Sequence, residues 1–519
     1  MDKKLIIAII LSMGVLFLYP YALQKFYPRQ AAKPQVKEAQ KEAPSAPAPI
    51  SGAKEQGQPS APVKEEFITV DTPLFTAVFT SNGGAIRKWE LKKFAQTRNR
   101  DGRINLADAI SRGSLKTMLE AKGVSEPVAF TASRAEITVK DGEKAELVFT
   151  GVKDGLKIEK VYTFSGGSYI LNTHVNVINT TGQPLKGRVS TLMASSIAGK
   201  DKTGYHTGPI VKTKDKLVRL TEKEPHKDGA EAPVWIGTED KYFLSVLIPS
   251  KDSRMSWSAD VASSVSSNAG IEAPFDLAPG GKTALSYSAF LGPKEYDLLL
   301  KQKIGLDEAI EFGLFAIMAR PFLVVLNFFE RYIGNYGIAI LVLTVIIKVL
   351  FYPLTKHSMT SMNEMKKIQP QLAALKEKYK GNKEKMNKEL MELYKRYKVN
   401  PVSGCLPMVL QIPVFIALYE VLYVAIELRG APFYLWIRDL SDKDPYYITP
   451  LLMGATMFIQ QKMTPTSVDP TQAKMMLIMP VVFTFMFLNF PSGLVIYWLV
   501  NNVLSIAQQY YIQRAPAKA

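Results

Sequence analysis

One cysteine, Cys405, in a chain of 519 residues leaves no partner for an intramolecular disulfide, so any water-facing domain folds on its core alone. Four histidines, His174, His206, His226 and His357, are scattered without the spacing that holds a metal, and no cofactor is implied. There are no arginine-rich arms, zinc-ligand spacings or RNA-binding aromatic signatures, which argues against a nucleic-acid module. Paired carboxylates and nucleophile motifs are also lacking, so no catalytic residue is assigned and the chain does not read as an enzyme. The formal charge of +17 therefore points to an anionic membrane surface, because the densest basic run lies between two apolar segments.

The apolar residues crowd into the first 25 positions and into the stretch after about residue 310. Leu5 to Leu23 is long enough to cross a bilayer, and no small-x-small cleavage pattern follows it, so residues 1–28 read as an uncleaved anchor. Residues 29–66 carry six prolines among Ala, Lys, Glu and Gln, and read as a disordered linker. From 67 to 295 the period becomes two. Phe75, Ala77 and Phe79 precede an Asn82-Gly83-Gly84 turn, and Leu171, Thr173, Val175 and Val177 alternate with Asn172, His174 and Asn176. A large antiparallel β-sandwich is expected there.

The period then changes to that of a helix. Residues 296–332 read as an interfacial amphipathic helix, since a further span at 312–329 would put the following lysine-rich loop outside, against the positive-inside rule. Residues 333–513 form the membrane domain, with spans at about 333–352, 406–428, 448–461, 475–490 and 494–509. With the anchor these make six spans, with both termini cytoplasmic and the sandwich periplasmic. Between Lys356 and Lys398 stand twelve Lys/Arg and five Glu, with apolar residues at helical spacing on either side of Gly381-Asn382. Residues 356–400 therefore read as a cytoplasmic helical hairpin, able to meet anionic lipid, ribosomal RNA or an acidic partner.

Lys348 lies inside the span at 333–352, where an ammonium costs roughly 2.5–3.5 kcal/mol on insertion scales. Two readings stand: the side chain snorkels to the cytoplasmic interface, or it serves a hydrated site. Thr344 lies one turn away on the same face, and Trp498, Asn501 or Asn502, Ser505, and Gln508 or Gln509 form a polar stripe on the last span. Gln411, counted from its own end, sits at a depth like that of Lys348. Convergence of these faces would make a hydrated pocket in the inner half of the bilayer, although interhelical hydrogen bonding accounts for the amides equally well. Glu420 counts some 15 Å deeper than Lys348 at about 1.5 Å per residue, too far for a direct pair.

Several segments resemble the bacterial YidC membrane protein insertase family: Tyr352-Pro-Leu-Thr-Lys356, Val399-Asn-Pro-Val-Ser-Gly-Cys-Leu-Pro407, Gln411-Ile-Pro-Val-Phe415, Ala431-Pro-Phe-Tyr-Leu-Trp-Ile437, Asp444-Pro-Tyr-Tyr447 and Phe490-Pro-Ser-Gly-Leu-Val-Ile-Tyr497. The amino-terminal half is similar to the Gram-negative form through Ser81-Asn-Gly-Gly-Ala85. The resemblance implies five spans around a groove open to cytoplasm and lipid, with Lys348 as its basic residue. It implies that Thr344 and the Tyr497-Trp498 region contact the entering segment. As partners it implies nascent membrane proteins, membrane lipids and the Sec translocon, with ribosome and signal recognition particle meeting the basic hairpin. Two departures stand out: Lys348 occupies a position often Arg in Gram-negative members, and Tyr497-Trp498 stands where some members have paired tyrosines. A secondary transporter of a small anion is the alternative; it would show inverted repeats, and these unequal spans do not. A membrane-anchored, sugar-binding sandwich is a third reading, for which five further spans are more than anchorage needs.

Overall fold

A computed structural model describes residues 65–95, 102–107, 113–121, 124–195, 205–251, 254–263, 266–379, 381–397, 406–463 and 470–514. The expected anchor and nearly all of the linker lie outside the described residues, as do 398–405 with Cys405. The described residues form two compact units that divide between Gly292 and Pro293.

The first unit is built from β-strands. Its largest sheet runs edge to edge through Leu217–Arg219, Gly208–Lys212, Trp235–Glu239, Phe243–Pro249, Lys282–Pro293, Ile170–Asn179, Leu156–Ser165, Lys144–Lys153 and Thr131–Ala132. A six-stranded sheet, His226–Gly229, Ser256–Ser263, Ser266–Leu277, Leu185–Ser195, Lys116–Ala121 and Val124–Pro127, packs against it. A five-stranded sheet contains Phe67–Asp71, which pairs parallel with Glu136–Thr138, so the expected antiparallel pairing fails at this ladder.

The period-two reading holds residue by residue. Leu171, Thr173, Val175 and Val177 are buried, whereas Asn172 and His174 are exposed. Phe79, Phe149, Tyr162 and Phe164 form a tilted and edge-on aromatic cluster in the core. Beside it Gly83 and Gly84 turn the chain at φ 73° and 54°, a left-handed pair that glycine adopts without strain. The turn is gripped from within. Lys160, fully buried, donates to the carbonyls of Gly83 (3.3 Å), Gly84 (3.1 Å) and Leu115 (2.5 Å), and the Tyr162 hydroxyl donates to Gly84 O at 2.6 Å. The Ser81-Asn-Gly-Gly-Ala85 motif is thus an internal cradle of carbonyls for a lysine, which the sequence pattern does not reveal.

The second unit is helical. The stretch expected as one interfacial helix over 296–332 is three pieces: α1 Tyr296–Leu300, a 3-10 turn Leu306–Ala309, and α2 Ala316–Ile333. Left-handed glycines explain the breaks, Gly305 at φ 72° and Gly313 at φ 63°. Asp297 of α1 accepts from Asn327 (3.2 Å) and Arg331 (2.5 Å) of α2, so the short pieces are tied. Among the described residues, Ile317, Val324, Phe328 and Tyr332 leave one largely apolar side of α2 exposed.

Gly334 ends α2 in the left-handed region, and the Asn335 side chain accepts from Ile338 N (3.1 Å) to cap α3, Tyr336–Lys367. At 32 residues, α3 spans about 48 Å and is, among the described residues, the one helix long and apolar enough to cross a membrane by length and composition. It runs through Pro353 instead of ending at Tyr352. Its last turns, Lys356–Lys367, are the continuation of the span and not the expected start of the hairpin. The helices that double back are α4 Gln369–Lys378 and α5 Lys383–Arg396, with Gln371 Nε2 donating to Tyr397 Oη at 2.9 Å. Asn382 caps α5 by accepting from Lys385 N at 3.0 Å.

Four further helices complete the unit: α6 Leu406–Val424, α7 Ile448–Met463, α8 Pro470–Phe487 and α9 Ser492–Arg514. A Cβ at Gly493, near the start of α9, would sit 3.3 Å from both Ile340 of α3 and Leu422 of α6. Further along α9, Lys348 of α3 meets Ser505, whereas Gln411 of α6 meets Tyr497. Chain numbers therefore rise together in α3 and α9 and oppose in α6 and α9. Asn502 with Thr456 and Gln509 with Met463 make α7 parallel to α9 as well.

Candidate functional site

Helix α9 collects the polar residues that the sequence singles out. Tyr497, Asn501, Ser505 and Gln509 recur every four residues along one face, and all four are buried. This face and the adjoining Asn502 meet three different helices. Tyr497 Oη accepts a hydrogen bond from Gln411 Nε2 of α6. Asn502 Nδ2 donates to Thr456 Oγ1 of α7 at 3.2 Å, and Gln509 Nε2 donates to Met463 O at 2.9 Å. Between these levels Lys348 Nζ of α3 donates to Ser505 Oγ at 2.6 Å.

Lys348 is half-buried, one turn after Thr344, which is itself buried with its hydroxyl donating to Ile340 O at 2.7 Å. Around Lys348 on α3 the outward residues are apolar: Val345, Ile346, Val349 and Leu350 are exposed. An ammonium has three N–H donors, and one is used by Ser505. Among the described residues no carboxylate forms an ion pair with Lys348, as the count along the spans anticipates for Glu420. The Glu420 carboxylate instead lies against Gly313, where an added Cβ would come within 2.9 Å of its Oε1.

Two expectations change. Gln411 is not level with Lys348: their partners on α9, Tyr497 and Ser505, are eight residues or about 12 Å apart, so α6 crosses α9 nearer its start. Trp498 is separated from Tyr497 in its surroundings. Its ring meets Phe415 (4.8 Å, edge-on), Phe487 (5.2 Å) and Phe483 (6.1 Å, stacked), an aromatic packing of α6, α8 and α9. Of the seven singled-out residues, Lys348, Gln411, Tyr497, Asn502 and Ser505 are thus spread along α9 rather than gathered in one cluster, with Lys348 on the rung shared with Ser505, while Thr344 bonds within α3 and Trp498 packs among aromatic rings. Thr456, which receives Asn502, is a member that sequence reasoning misses. A single threonine in a short apolar helix gives no period of its own to notice.

The outward surface of the helices is apolar over long stretches: Leu451, Leu452 and Ile459 on α7, and Leu477, Ile478, Val481, Val482 and Phe485 on α8. In water such area would drive association; next to hydrocarbon it is at home. Opposite faces of the same bundle thus carry a greasy exterior and a buried polar ladder holding one cation.

The family model described as 60Kd inner membrane protein matches residues 328–519, and that described as YidC periplasmic domain matches 67–325. The membrane protein insertase YidC of Syntrophus aciditrophicus is 44% identical over 547 residues, covering 99% of this chain and all of that protein. The protein of the same name from Citrifermentans bemidjiense is 45% identical over 542 residues, with both chains fully covered. Among solved structures, an active YidC insertase crystal structure with its first transmembrane domain resolved covers 86% of this chain and 92% of that one, at 19% identity and a TM-score of 0.39. At that score it adds nothing to the description of the fold.

Proposed function

The chain belongs to the YidC family of membrane protein insertases, and on that premise we propose that Lys348 is the electrostatic anchor of a hydrated groove, formed by α3, α6 and α9, through which clients enter the bilayer. The protein is a membrane protein insertase of the inner membrane with a periplasmic domain, its substrates are nascent membrane proteins, and its family is not an enzyme family. The single observation that carries the groove is the Lys348 ammonium held at 2.6 Å by the Ser505 hydroxyl within an apolar bundle. A carboxylate partner would neutralise it; a hydroxyl leaves its charge available.

A client's polar or acidic segment enters from the cytoplasm, is drawn by Lys348, which Ser505 holds, and is kept solvated by water in the groove beside Asn502. Its apolar part then leaves along the exposed aliphatic side of the bundle into lipid. Thr344, Gln411, Tyr497 and Trp498 line the path. Six spans, with both termini cytoplasmic and the β-unit periplasmic, complete the topology; α3 and α7 parallel to α9, with α6 opposed, support that alternation. The basic pair α4–α5 meets the ribosome, the signal recognition particle or anionic lipid, and the bundle works alone or beside the Sec translocon.

The test is complementation of insertase-depleted cells. Lys348→Arg retains insertion of small membrane proteins, whereas Lys348→Ala loses most of it. Normal growth and normal insertion with Lys348→Leu sink the groove.

A further inference from the structure

We propose that Ser505 is a positioning residue that fixes the Lys348 ammonium at its depth in the bundle and prevents it from withdrawing to the cytoplasmic interface. The inference rests on the groove reading above.

The geometry assigns the Ser505 hydroxyl a single orientation. Its one proton is donated to the Asn501 carbonyl at 2.7 Å, one turn earlier in α9. The oxygen lone pairs are therefore turned outward, and Lys348 Nζ donates to them at 2.6 Å. Ser505 is buried, so water does not compete readily for this acceptor. Its height is set in turn by α7, since Asn502–Thr456 and Gln509–Met463 hold α9 on either side of it.

Lys348 has somewhere else to go. Tyr352, near the expected end of the membrane segment, is four residues or about 6 Å further along α3, within reach of a lysine stem. Val349 and Leu350, exposed on that stretch of α3, are apolar and offer the ammonium no partner on the way. The Ser505 oxygen is thus the contact that makes the inward position preferable to snorkelling. A hydrogen bond to a charged group shifts such a balance by about ten-fold or more. Losing it would leave the charge on the protein but take it away from the client.

The test uses the full chain in insertase-depleted cells. The client is a single-span membrane protein whose translocated tail carries one acidic residue, and its rate of insertion is followed by protease protection and normalised to the amount of insertase in the membrane. Ser505→Ala is expected to slow insertion about ten-fold. Ser505→Thr, which keeps the hydroxyl, restores it; Ser505→Val, of similar shape without the hydroxyl, does not. In a Lys348→Ala background Ser505→Ala adds no further loss, because its effect passes through Lys348. An equal further loss in that background would mean that Ser505 acts through packing, and overturns the proposal. Parent-level insertion with Ser505→Ala, or Val matching Thr, overturns it too. If Lys348→Ala itself inserts like the parent, the groove reading fails and takes this inference with it, a result distinct from the other three.

Discussion

Replacing Asp444 by alanine should loosen the start of α7 by about 2–3 kcal/mol. Asp444 is 1% exposed and precedes the helix by four residues. Its Oδ2 accepts from both the backbone N–H and the hydroxyl of Thr449, each at 2.7 Å, and its Oδ1 accepts from Tyr446 N at 2.9 Å. The intervening Tyr447 is held in the left-handed region at φ 58°, a conformation a tyrosine adopts only when its surroundings enforce it. The carboxylate therefore satisfies first-turn donors of α7 and sits where the helix dipole favours an anion. Alanine orphans the buried Thr449 N–H, worth about 1–3 kcal/mol, and removes a cap worth about 1 kcal/mol that partly overlaps it. The change Asp444→Asn keeps one oxygen for Thr449 but turns an amide nitrogen toward the Tyr446 N–H, and should cost about 1 kcal/mol. The assay is amide hydrogen exchange of the whole protein in lipid nanodiscs. The amides of Thr449 and its neighbours should exchange about 30- to 100-fold faster in Asp444→Ala. Burial raises the Asp444 pKa, and the hydrogen bonds from Thr449 and Tyr446 outweigh it, so the group titrates below its ordinary value. A depressed carboxyl pKa contributes stability above the unfolded value of about 3.9 and loses it as pH falls through the folded one. The parent's protection at α7 should therefore fade on acidification below about pH 4, and Asp444→Ala should lack that fade. Parent-like exchange in Asp444→Ala at neutral pH would refute the capping role.

Helices α7 and α8 touch at Gly454, where an added Cβ would overlap Thr484 Oγ1 and lie 3.2–3.3 Å from the other atoms of that side chain. Rotating Thr484 therefore gives little relief, and its hydroxyl is already bonded to Pro480 O at 2.7 Å. Gly454→Ala should destabilise the helical unit by about 1–3 kcal/mol in thermal melts in detergent, and adding Thr484→Ala should restore it; additive losses would show that the contact is not the cause. In the β-unit, burial pushes the Lys160 amine well below its ordinary range. The folded state then binds fewer protons than the unfolded chain between the two pKa values, so the stability of this unit should rise with pH toward about 10.4, and Lys160→Met should flatten the rise. Identical slopes for parent and Lys160→Met in pH-dependent melts would reject that assignment.

Periodicity carries most of what is legible in the chain. Alternation at Leu171–Val177 locates a buried strand because a sheet face has only two sides. The polar recurrence at Asn501, Ser505 and Gln509 locates the inner face of α9 for the same kind of reason, although the buried residue that begins that face is Tyr497 and not the expected Trp498. What fails are lengths and levels. Pro353 reads as a stop, but proline removes one hydrogen bond, and the fifteen residues after Tyr352 are good enough helix formers to carry α3 on to Lys367. Levelling Gln411 with Lys348 depends on counting residues from each helix's own end, and crossing helices do not share an origin. Lys160 is invisible because nothing local marks a lysine whose acceptors, Gly83, Gly84 and Leu115, lie 45 to 77 residues away in the chain.

Lys160, buried, and Lys348, half-buried, put a lysine to opposite uses. Lys160 is surrounded by three carbonyl oxygens, enough to occupy every N–H of an ammonium, and those carbonyls belong to a glycine turn and a strand edge that it ties together. Nothing is left over for a ligand. Among the described residues Lys348 meets one oxygen, on a neighbouring helix, and the exposed residues beside it on α3 are apolar. A lysine meant to hold a fold together would be expected to gather acceptors as Lys160 does, because each unmet donor away from water costs free energy. Retaining a cation with donors to spare is therefore costly to the fold, and the groove we propose accounts for that cost, because an acidic or polar segment of a client would supply the missing acceptors in passing.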